Sequence, residues 1–157
     1  MTKRGRSRIR RADGRRGQAL VEFSLILIPF LLILMGIFDL GRGIYMNNGV
    51  SEAAREIART TAVHPCNTSS CTLGNSAETQ TTIDTQKALI PGLGSAASSI
   101  TFSCTTVSDA PDTNSGSSCK SGSFVKVSVA VPFSVITPIL SMVAPSTLQA
   151  TAHIQVP

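Results

Sequence analysis

No nucleophile elbow, phosphate-cradling glycine loop or metalloprotease helix motif occurs in the chain, although serine is plentiful. Histidine is scarce: His64 lies two residues from Cys66, and His153 falls by alternation on the outer face of the last strand. Asp84, Asp109 and Asp112 sit in separate polar segments. No base is therefore paired with a nucleophile, and the sequence reads as that of a non-enzyme, with no catalytic residue and no cofactor. Internal repeats are absent too, and 157 residues leave room for one modest domain with a small core.

Charge is missing from one long stretch. Between Gln18 and Phe38 the only charged residue is Glu22, and Ser24 and Pro29 are the other interruptions. As a helix rising about 1.5 Å per residue this run is roughly 31 Å long, enough to cross a hydrocarbon core. Pro29 leaves the Leu25 carbonyl without its helical partner, which a membrane helix tolerates. A secretory signal peptide has a shorter apolar centre and a small-x-small cleavage site after it, and neither feature fits here.

Net positive charge is confined to the other side of Gly17. Lys3, Arg4, Arg6, Arg8, Arg10, Arg11, Arg15 and Arg16, less Asp13, carry +7 of a net +5, so the remainder is −2. That balance argues against a basic nucleic-acid-binding face on the folded part. A basic tract can hold phosphate without specificity; beside a membrane span it reads better as a cytoplasmic anchor under the positive-inside rule. The lipid bilayer is thus an expected partner and nucleic acid is not. The expected organisation is a basic, disordered cytoplasmic leader over residues 1–17, a long helix over 18–63 that spans the membrane at about 18–38, and an extracytoplasmic domain over 64–157.

Beyond Asp39, apolar residues recur with helical spacing at Ile44, Val50, Ala53, Ala54, Ile57 and Ala58, with Glu52, Arg55, Glu56 and Arg59 on the other face. The glycines at 41, 43 and 49 cost this helix about 1 kcal/mol each relative to alanine, and Pro65 marks its end. A polar loop over 64–77 precedes a short helix over 78–89, closed by Pro91 and Gly92. Alternation then predicts strands over 99–107, 124–131 and 147–156, the second with Val125, Val127, Val129 and Val131 on one face. The apolar stretch 132–145 reads as a short helix interrupted by Pro138, packed on the sheet or on the membrane surface. The expected class is α+β: a long N-terminal transmembrane helix followed by a small extracytoplasmic domain with an antiparallel β-sheet, the plan of a pilin.

Cys66, Cys71, Cys104 and Cys119 all fall on the exported side, which points to two disulfides. Three pairings are possible; 66 with 71 and 104 with 119 are sequence-local and each ties down a polar loop. A metal site built from His64, Cys66, Cys71 and His153 is the alternative, and its H-x-C-x4-C spacing fits no standard zinc pattern, so no metal is expected.

The segment GQALVEFSLILIPFLLILMGIFDLGR, followed by NNGVSEAAREIART, resembles the N-terminal region of the TadE-like pseudopilins of the tight-adherence (Tad or Flp) pilus system, over residues 15–62. The resemblance implies a prepilin-type processing site between Gly17 and Gln18. It places the glutamate of the fifth mature position on Glu22 and the aromatic that follows on Phe23, where major pilins more often carry Tyr. It implies a prepilin peptidase, other Tad/Flp pilins and inner-membrane assembly proteins as partners, and residence in a bacterial inner membrane. The size of the domain beyond the helix suits a minor pilin rather than the much shorter major ones.

The residues make physical sense of this motif. Gly17 is small enough for a membrane protease to take the backbone in extended form. The new α-amino group of Gln18 would lie about 6 Å along the helix from Glu22, and a charge within a bilayer persists only with a partner or a task. Without the resemblance, Glu22 reads equally as an interfacial acid near a helix N-terminus. The alternative function is an uncleaved single-span anchor whose periplasmic domain is a binding or scaffolding module of an envelope secretion complex.

Overall fold

The computed structural model describes residues 14–65, 72–112, 119–137, 142 and 144–157. Helix α1 (Gly14–Val63) runs unbroken for 50 residues with Pro29 inside it, about 75 Å at the usual rise. Its two halves meet different surroundings. Leu20, Phe23, Ile26, Ile33 and Phe38 are exposed, whereas Met46, Val50, Ala53, Ala54, Ile57, Ala58 and Ala62 are buried. The buried set recurs every three or four residues, one face of a helix. Its small alanines let the α1 backbone come close to whatever packs on it.

Helix α2 (Ala77–Leu89) starts where Ser76 accepts the Thr79 N–H at 3.2 Å, an N-cap that satisfies an orphan donor. Glu78 in its first turn and Lys87 in its last both suit the helix dipole. It rests on α1 through Ile83 and through Thr79, whose hydroxyl lies 3.4 Å from that of Thr61. Gly49 faces the Ile90 side chain just past this helix, where a Cβ would stand in ordinary contact at 3.6 Å.

Strands β1 (Ser99–Thr105), β2 (Phe124–Pro132) and β3 (Thr147–Gln155) form one antiparallel sheet in the order β1-β2-β3. The register sets Phe102 opposite Val127 and Val127 opposite Ala152, so one face collects Ile100, Phe102, Cys104, the four valines of β2, Leu148, Ala150 and Ala152. That face lies against the second half of α1, and all four valines are buried. β-branched residues suit a central strand because their stiff side chains pack well on the pleat. The other face is polar, with Ser128 and Thr151 hydroxyls 3.0 Å apart across β2 and β3.

The sequence expectation fails at the start of 132–145. Pro132 ends β2, the Phe133 N–H extends the ladder by donating to Ser146 O at 2.9 Å, and residues 133–137 are not helical. Two causes act together. Thr137 precedes Pro138, which disfavours helical backbone at 137. The amides of Ile136 and Thr137 also find a side-chain acceptor far away in sequence, Asp39. Residues 138–141 and 143, which complete the expected helix, lie outside the described residues.

Candidate functional site

The motif residues lie on the unpartnered half of α1. Gly17, Gln18, Glu22 and Phe23 are all exposed, and a Cβ placed on Gly17 would meet nothing within 4 Å. Among the described side chains no cation contacts Glu22. Gly14 already belongs to α1, so the Gly17–Gln18 bond lies within helix rather than in extended chain ahead of it.

A helix long and apolar enough to cross a membrane covers Gly17–Val63, and the most apolar window within it, of mean hydropathy 2.6, is not buried at all. In a soluble domain such a surface would be a severe liability. By length and composition this segment is suited to anchor the chain in a membrane.

Where the apolar run ends, the structure adds a feature that sequence reasoning missed. Asp39 is only 3% exposed. Its carboxylate accepts the Ile136 N–H at 3.0 and 3.1 Å and the Thr137 N–H at 2.7 Å. These bonds, the Ile136 amide foremost, hold its carboxyl below the ordinary carboxylate range, with Arg42 nearby adding to the effect against the opposing cost of burial. The Arg42 guanidinium stands over the Phe133 ring, 5.4 Å from its centroid. Gly43 lets that ring lie on the helix, since an added Cβ would meet Phe133 Cζ at 3.4 Å. In the sequence Asp39 shows only as the first charge beyond the span; its partners lie 97 and 98 positions away, and no local pattern signals them.

A disulfide joins Cys104 in β1 to Cys119, with Cα atoms 5.4 Å apart. Cys66 and Cys71 lie outside the described residues, and so does any pairing or metal site they would make. His64 is exposed just past the end of α1. His153 stands on the outer sheet face with its Nδ1 3.7 Å from Asp109, which also accepts from Lys126 at 3.1 Å. In the sequence Asp109 stands in a polar loop well apart from Lys126 and His153. It reaches these partners because the chain turns sharply there, with φ at 59°. This exposed cluster holds a loop against the sheet.

A long helix, half of it unpartnered and apolar, ending in the core of a small α+β head, defines a membrane-anchored protein of pilin-like plan. More particularly, the family model described as TadE-like protein matches residues 17–59, from Gly17 through most of α1. Over these residues the chain is similar to TadE-like proteins. The matched residues stop within α1, before α2 and the sheet. No curated protein and no solved structure matches the chain.

Proposed function

We propose that this protein is a minor pilin or pseudopilin, cut by a prepilin peptidase between Gly17 and Gln18, that takes part in assembling a Tad/Flp-type surface pilus. Its N-terminus is cytoplasmic and its folded head periplasmic, in a bacterial inner membrane from which it can pass into a filament. The observation that carries the reading is the division of α1. Among the described residues the half bearing Gly17 and Glu22 is mostly exposed and meets the head only near its end, while the other half is the spine of the head. Such a helix is free to pack against the helices of other pilins and of inner-membrane assembly proteins once it is released from its basic leader. Cleavage exposes an α-amino group that must enter an apolar bundle, and Glu22 supplies the opposite charge about one turn away.

The test is the N-terminus. Co-expressed with a prepilin peptidase, the protein should begin at Gln18 by intact-mass and N-terminal analysis, and Gly17→Leu should abolish that product. Met1 or Thr2 as the sole N-terminus in cells that are assembling pili would favour the uncleaved anchor, its periplasmic head serving as a binding or scaffolding module of an envelope secretion complex.

A further inference from the structure

We propose that the head of this protein has a second membrane contact: the segment 133–137, pinned by Asp39, enters the leaflet that α1 leaves, and the groove beside it takes a lipid acyl chain. This rests on the reading that residues 18–38 span the bilayer.

The placement follows from the helix. Asp39 is the first residue after the apolar run, and helical side chains lean toward the helix N-terminus. Its carboxylate is therefore directed back toward the membrane, and the backbone of Ile136 and Thr137 is bonded to it there. The segment is fixed at the depth of the span's end. At that depth the Ile136 side chain is 69% exposed, and Met142, a few residues on, is 90% exposed. In water both would be unfavourable; at a bilayer interface they are favourable.

The groove continues the same surface. Its volume is about 610 Å³, with Ile33, Gly36, Ile37 and Leu40 of α1 on one wall and Phe133 and Val135 on the other. Ile33 lies about 9 Å deeper than Asp39 along the helix axis, so the groove descends alongside the span itself. The chief charged group in its wall is Asp39, whose carboxylate already holds three hydrogen-bond contacts. What remains is apolar surface at hydrocarbon depth, continuous with a helix already bathed in lipid, and an acyl chain is the occupant that this depth and lining select. The Arg42 guanidinium, over Phe133, is placed at headgroup level.

The chain has no tryptophan, so one introduced residue reports its own depth. Full-length Ile136→Trp, reconstituted in phosphatidylcholine–phosphatidylglycerol vesicles, should emit to the blue. It should lose most of its intensity when the acyl chains are brominated near the headgroup, and resist aqueous iodide. Val107→Trp, at an 86% exposed site at the far end of the sheet, should behave oppositely. Ile28→Trp, in the middle of the span, tests the underlying reading: if bromolipid fails to quench it, the span is wrong. If Ile28→Trp is quenched while Ile136→Trp is open to iodide, the span stands and the second contact is overturned. Blue emission from Ile136→Trp that ignores bromolipid and grows with the protein-to-lipid ratio would mean that a second copy covers the segment, and also overturns it. Adding Asp39→Ala should abolish the bromolipid quenching at position 136 and leave that at position 28 intact. Unchanged quenching at 136 would refute the pinning.

Discussion

Asp39 and Thr137, 98 positions apart in the chain, are joined by a 2.7 Å hydrogen bond from the Thr137 amide to the Asp39 carboxylate. Because the Ile136 and Thr137 amides favour the ionised acid, its pKa is depressed on folding. The stabilisation is therefore fully present above the unfolded value, about pH 4, and is lost as pH falls through the lower folded value. In detergent micelles, wild type should melt above Asp39→Asn at neutral pH, and the gap should close on acidification below pH 4. A gap that stays constant with pH would mean that the charge contributes nothing.

Ile57 is fully buried where α1 crosses the sheet. Ile57→Ala should cost the head about 2–5 kcal/mol, and Ile57→Val about 0.5–1.5 kcal/mol. Chemical denaturation followed by circular dichroism gives both values. Near-equal losses would show that the site is less tightly packed than its burial implies.

Gly74 has a φ of +84°, and a Cβ there would approach the Phe102 ring to 2.6 Å. The loop before α2 thus needs glycine twice, for backbone conformation and for space. Gly74→Ala should destabilise the head by at least the 1–3 kcal/mol or so typical of a strained left-handed residue. Adding Phe102→Leu should recover part of the loss, since it removes the clash and leaves the strain.

The Cys104–Cys119 bridge closes a loop of sequence separation 15, for which chain entropy gives about 3 kcal/mol. Cys104→Ala/Cys119→Ala should lower stability by about that amount in a denaturant titration. Peptide mapping without reduction should recover residues 104 and 119 in one cross-linked species; free thiols at both positions in periplasmic protein would contradict the bridge.

Glu22→Ala should leave membrane insertion intact, since removing an acid from the span favours it, and cleavage at Gly17 should continue. Assembly should fall, because an uncompensated α-amino group in an apolar bundle costs several kcal/mol. Glu22→Gln keeps shape and hydrogen bonding and loses only charge, so it separates the two. Pilus counts and co-purification with other pilins give the readout; normal assembly by both variants would reduce Glu22 to a helix-terminal acid.

The sequence by itself determined everything that repeats with a local period. The apolar run to Phe38, the three-to-four spacing from Val50 to Ala58 and the alternating valines of β2 are visible because burial of one face imposes a period of 3.6 or 2 on neighbouring residues. The motif around Gly17 and Glu22 was equally legible, since it lies on one continuous segment. Only the tertiary structure decided that the far half of α1 is the core of the head, that Gly43 lies against the Phe133 ring, and that residues 133–137 leave helical geometry to bond Asp39. Those outcomes depend on which surfaces meet between segments far apart in the chain. A carboxylate that satisfies two distant backbone amides leaves no mark on the residues beside it.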